Sequence, residues 1–149
     1  FCLMYEFKIK NNLVLKAFFL VLSIVVLVGP TFAEVKNISN QTLQSLILND
    51  TPIIDIREEF EWRQTGIIPN SHLITFFDSE GKYDAIGWLE QIEAITSRDE
   101  PIVIICRSGR RSLLVANYLS ENNKFRKVYN VSEGIKGWKN ANFFTQSFE

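Results

Sequence analysis

Residues Pro101-Ile102-Val103-Ile104-Ile105-Cys106 form a run of apolar, mostly β-branched side chains, and Arg107-Ser108-Gly109-Arg110-Arg111-Ser112 follow it directly. A short apolar run without polar alternation predicts a strand buried on both faces, as in a parallel sheet covered by helices. Parallel neighbours need helical crossovers, so the rest of the chain should alternate short strands with amphipathic helices. In such sheets ligands gather beyond the carboxyl ends of the strands. Cys106 holds that place, and the loop after it is where chemistry is expected.

Working outward, the alternation is present on both sides. Toward the C-terminus, a helix is predicted over Leu113 to Leu119, a strand over Lys127 to Val131 and a short helix over Glu133 to Lys139. Toward the N-terminus lie a helix from Asn40 to Leu48 with Ser39 or Asn40 as its cap, a strand Pro52 to Arg57 and a helix Glu58 to Gln64. A turn at 67–71 leads to a strand His72 to Phe76, and polar residues 78–82 precede a helix from Tyr83 to Thr96. That last helix is expected to bury Ile86, Leu89, Ile92 and Ile95. Trp62, Trp88 and Trp138 fall at helical positions and read as core. The fold class is α/β, a three-layer sandwich with a central, mostly parallel sheet and helices on both faces.

Composition narrows the function. The chain has 149 residues, 46% hydrophobic and 13% aromatic, with a net charge of −1. That is one domain of ordinary size, too rich in aromatics to be disordered. One His and two Cys cannot supply a structural zinc site, and no motif calls for a cofactor. Near-neutral charge gives no basis for nucleic acid as a partner.

Residues 1–33 read as a signal segment rather than as part of the domain. Lys8, Lys10 and Lys16 precede the apolar run Ala17 to Val28, which is followed by Gly29-Pro30 and by small residues at Thr31 and Ala33. Twelve helical residues reach about 18 Å, short of the roughly 30 Å of a hydrocarbon core. Cleavage after Ala33 is therefore expected, with translation starting at Met4, and an uncleaved membrane anchor is the alternative. Export, to a bacterial periplasm, is the expected location. The mature domain, residues 34–149, would carry 13 basic and 16 acidic side chains, a net −3, and Cys106 as its one cysteine.

A lone thiol in an oxidising compartment has no partner within its own chain. The residues around Cys106 suggest why it is kept. Successive N–H groups in a tight loop form an anion-binding nest, for which Gly109 gives the freedom. A helix starting near Ser112 or Leu113 aims its positive end at the same spot, and Arg107, Arg110 and Arg111 add three cations. Such surroundings favour the thiolate, the nucleophilic form. An inert cysteine acting as a small core hydrophobe would not be placed among arginines.

The loop Cys106-Arg107-Ser108-Gly109-Arg110-Arg111-Ser112 resembles the active-site loop of rhodanese-like domains, the thiosulfate sulfurtransferase family. The likeness continues, in the family's order, through Asp55-Ile56-Arg57, Glu61-Trp62, Gly66 to Ser71 and Gly134-Ile135-Lys136-Gly137-Trp138. It departs at Ile67, where many relatives have His, and at Asn70, where they have Gly. The resemblance implies a sulfurtransferase in which Cys106 takes the outer sulfur of a small anionic donor such as thiosulfate. The sulfur then passes as a persulfide to a thiol, to cyanide or to a protein acceptor. It further implies that the loop from Arg107 to Ser112 binds substrate, with Arg107 or Arg110 attracting the donor and Arg111 bracing the loop. Ser112 either donates to the terminal sulfur or caps the helix. Asp55 and Arg57 are expected to support the site rather than to react. His72, in another register, is expected to be structural.

Rival functions make different demands. A phosphatase or arsenate reductase resembling Cys-x5-Arg would need arginine at position 112, which is Ser112. A persulfide carrier without turnover would need the same loop as the enzyme. A redox protein would resolve its disulfide with a second cysteine, absent from the mature chain, or with an intermolecular partner.

Overall fold

The computed structural model describes residues 35–149. The signal segment, its cleavage after Ala33 and Met4 lie outside the described residues. Along the chain come β1 (Lys36–Ile38), α1 (Asn40–Leu48), β2 (Ile53–Asp55), α2 (Glu59–Thr65), β3 (His72–Leu73), α3 (Ala85–Glu93), β4 (Pro101–Ile105), α4 (Arg110–Asn117), a π-helical turn (Tyr118–Asn122), β5 (Lys127–Val131) and α5 (Gly134–Asn140). The strands form one sheet in the order β1-β5-β4-β2-β3, with every pairing parallel. Among the described residues no helix is long and apolar enough to cross a membrane.

The strand β4 divides the core. Ile102, Ile104 and Cys106 face a cluster built from Trp88 and Ile92 of α3 and from Val115 and Ala116 of α4. Val103 and Ile105 face Leu43 of α1 and Ile135 and Trp138 of α5. This alternation, with all of residues 102–106 buried, gives β4 two apolar faces and hence two helical layers. Each fully buried isoleucine contributes about 1.5–3 kcal/mol of transfer free energy. Trp62, Trp88 and Trp138 are all buried, as expected of core tryptophans. The cap of α1 is Ser39, whose Oγ accepts the Thr42 N–H at 3.3 Å.

Several boundaries differ from the sequence reading. The strand expected over 52–57 ends at Asp55, because the Arg57 backbone N–H turns back to the Asp55 carboxylate at 3.2 Å. The strand expected over 72–76 keeps two residues. The helix expected over 83–96 spans Ala85–Glu93, and Ile86 is exposed instead of buried. Its inward face is set by Trp88 and Ile92, one turn apart. The strand β1 has no counterpart in the sequence reading, since Ile38 is its one buried residue. The most consequential shift is at α4, which begins at Arg110 and not near Ser112 or Leu113.

Candidate active site

Cys106 directly follows β4, at the carboxyl end of the central strand, and is 1% exposed. The turn beyond it is dictated by two glycines. Gly109 adopts φ +82, and a Cβ there would lie 2.1 Å from the Ser132 carbonyl oxygen. Gly134 adopts φ +57, and a Cβ there would lie 2.4 Å from the Cys106 carbonyl oxygen. No L side chain fits at either contact, so the loops after β4 and β5 interlock only with glycine at both places. The Ile135 N–H then donates to the Cys106 carbonyl at 2.9 Å, and the Lys136 N–H to the Arg107 carbonyl at 3.1 Å. The start of α5 thus fixes the backbone immediately after the cysteine.

Because α4 starts at Arg110, residues Arg110, Arg111 and Ser112 are its first turn, and their N–H groups have no acceptor within the helix. Gly109 caps the helix by conformation, with no side-chain hydrogen bond. Ser112 is fully buried, and its Oγ donates to Cys106 Sγ at 3.3 Å. Ser112 does not cap α4, whose cap is Gly109, and its hydroxyl meets Cys106 Sγ itself. The Arg107, Ser108 and Arg110 side chains are exposed, and among the described residues no carboxylate pairs with Arg107 or Arg110.

Arg111 is differently placed. Its Nη2 donates to Glu61 Oε1 at 2.6 Å and Oε2 at 2.9 Å, joining the first turn of α4 to α2. The hydrogen bond to Glu61 is the main influence raising the Arg111 pKa; burial opposes it, and the charge of Glu61 and the nearness of Cys106 add to it. For Glu61 the largest single influence is burial, which works upward. The Arg111 hydrogen bond, the Glu58 N–H and the charges of Arg111 and Arg57 outweigh it and hold the carboxyl below its ordinary value. A carboxylate with a depressed folded pKa adds stability that is full above the unfolded value and lost as the pH falls through the folded one. The melting temperature of Glu61→Gln should therefore lie below that of the wild type above pH 4.5, with the gap closing on acidification below it. A gap unchanged by pH in thermal melts would mean that the Glu61 charge contributes nothing.

Asp55 and Arg57 lie one strand away and do not bond the loop. Arg57 is fully buried; its Nε and Nη2 grip the Asp55 carboxylate at 2.6–3.0 Å. Its remaining donors reach Thr65 Oγ1, the Glu61 carbonyl and the Gly66 carbonyl. The pair thus anchors α2, the helix that presents Glu61 to Arg111. His72 is exposed on β3 and pairs with Ile54 of β2, away from Cys106. Glu61 is the site residue that the sequence reading quoted without giving it a role. No local signal pairs it with Arg111, which reads as loop in the sequence and lies 50 residues away. No group of His, Cys, Asp and Glu among the described residues could hold a metal.

Comparison with known proteins fits this geometry. The family model for the rhodanese-like domain matches residues 35–141. An uncharacterized protein of Rickettsia prowazekii is 34% identical over 119 residues, covering 72% of this chain and 94% of that protein. The thiosulfate sulfurtransferase GlpE of Pseudoalteromonas translucida is 32% identical over 106 residues, covering 68% of this chain and 85% of that protein. Among solved structures, a rhodanese-related protein from Thermoplasma volcanium aligns with a TM-score of 0.56 at 27% identity, covering 74% of this chain and 97% of that one.

Proposed function

Because the chain belongs to the rhodanese-like domain family, we propose that it is an exported sulfurtransferase working through a persulfide on Cys106. The observation that carries this reading is the buried sulfur at the end of β4, with the Ser112 hydroxyl on it at 3.3 Å and the open first turn of α4 beside it. The Cys106 thiolate attacks the outer sulfur of a small anionic donor of the thiosulfate kind. The donor's S–S bond breaks, its electron pair leaves with sulfite, and a Cys106 persulfide remains. The Ser112 O–H and the N–H groups of Arg110 to Ser112 are hydrogen-bond donors for the anionic sulfur. Exposed Arg107 and Arg110 draw the donor anion toward the loop. A thiol or cyanide then attacks the outer sulfur and returns Cys106 to the thiolate.

The phosphatase reading is less well supported by the same site. The arginine nearest the position demanded by Cys-x5-Arg is Arg111, one residue early, and its Nη2 is bonded to both carboxylate oxygens of Glu61.

Intact-mass measurement tests the proposal. Protein recovered from the exported fraction should begin at Glu34, gain one sulfur on exposure to thiosulfate and lose it to cyanide. A chain that gains no sulfur from thiosulfate or from an organic persulfide would refute the sulfurtransferase reading. A chain retained with its first 33 residues would refute cleavage.

A further inference from the structure

Beside the loop lies a pocket of about 280 Å³, lined by Arg57, Phe60, Glu61, Gln64 and Thr65 from the β2–α2 region and by Arg107. That volume is close to the roughly 300 Å³ at which pockets for organic ligands begin. Its charges are unequal in what they have left to give. Arg57 is committed to Asp55, and both carboxylate oxygens of Glu61 are committed to Arg111. What remains free for a visitor is the Arg107 guanidinium, the Gln64 amide and the ring of Phe60, which is 60% exposed although large and apolar. One unpaired cation, one amide and one apolar face complement a small organic acid that carries an amide or short chain. The pocket also shares a wall with the reacting sulfur's loop, because Arg107 follows Cys106 and Glu61 is bonded to Arg111.

We propose that this pocket binds the sulfur acceptor, and that the acceptor is a small organic thiol bearing a carboxylate, about dipeptide in size, held by Arg107 with Phe60 and Gln64. This rests on the persulfide reading above. The acceptor thiolate attacks the outer sulfur of the Cys106 persulfide, a new S–S bond forms, and the bond to Sγ breaks with its electron pair returning to Cys106. The products are an acceptor persulfide and the starting thiolate, with no external oxidant or reductant.

The test loads Cys106 with thiosulfate and measures transfer to cysteinylglycine and to its C-terminal amide, which lacks the carboxylate. The expected kcat/KM favours the acid by about tenfold, the worth of one charge-assisted contact. Arg107→Gln should bring that ratio to near unity. Lys136→Gln, which removes an exposed cation beside Ser108 on another side of the loop, should leave the ratio standing. Phe60→Ala should raise KM several-fold for both thiols, and Gln64→Ala likewise. Loading that proceeds normally with a wild-type ratio near one would overturn the pocket assignment and leave sulfur transfer intact. An equal fall in Arg107→Gln and Lys136→Gln would overturn it too, as a field effect of the whole loop. Failure to load at all would instead overturn the persulfide reading.

Discussion

Cys106→Ser is expected to lower thiosulfate-to-cyanide sulfur transfer by on the order of 10³-fold or more, because a nucleophile that becomes part of the intermediate has no substitute. Oxygen does not take the place of sulfur in a persulfide, and among the described residues there is no other cysteine. The fold should survive. Sγ is buried in the cluster of Ile104, Val115 and Ala116, and serine is smaller, so nothing clashes. The new hydroxyl also has a partner already in place, since Ser112 Oγ lies within bonding reach of the position. The cost should stay near the usual point-mutation value of about 1 kcal/mol. Steady-state assay and thermal melts on the same preparation check both halves. Activity within a few-fold of wild type would eliminate the covalent mechanism, and a collapsed melting temperature would make Cys106 a packing residue first.

How much of this was legible in the sequence depends on how local each signal is. The place of Cys106 could be read because residues 101–106 are apolar without alternation, and only a strand covered on both faces demands that. The loop after β4 could be singled out because Gly109 and three arginines lie within a few residues of the sulfur. The start of α4 was misjudged for a related reason. Arg110 and Arg111 look like loop, and Gly109 caps by adopting φ +82, not by a side-chain oxygen that a sequence would advertise. The strand β1 left no pattern, because a three-residue edge strand with one buried side chain has no period to detect. Glu61 was invisible as a partner because Arg111 lies 50 residues away. Ile86 was assigned inward because its spacing fits one face of α3 as well as Trp88 fits another. Packing of Trp88 against Phe76, at 4.9 Å between centroids, decides between them.

Arg57→Ala should be the most destabilising of the replacements considered, costing about 3–5 kcal/mol, the range for removing one partner of a buried ion pair. The Asp55 carboxylate, 1% exposed, would lose its cation, while the Gly66 carbonyl and Thr65 Oγ1 would each lose a donor. For a domain of this size the melting temperature should fall by roughly 10–20 °C. The pair itself need not be worth that much, because apolar replacements of buried ion pairs are often neutral. Arg57→Met combined with Asp55→Leu should therefore recover a substantial part of the loss. Chemical denaturation of the two single variants and the double variant separates the cases. Strictly additive costs would mean that the two side chains do not act as a unit. The double variant carries a further consequence for the site. It would keep a packed core yet lack the bonds from Arg57 to the Glu61 carbonyl and Thr65 that hold α2, so Glu61 should meet Arg111 less often. Sulfur transfer should then fall more than stability does, which is how a residue that positions the loop differs from one that only supports the fold.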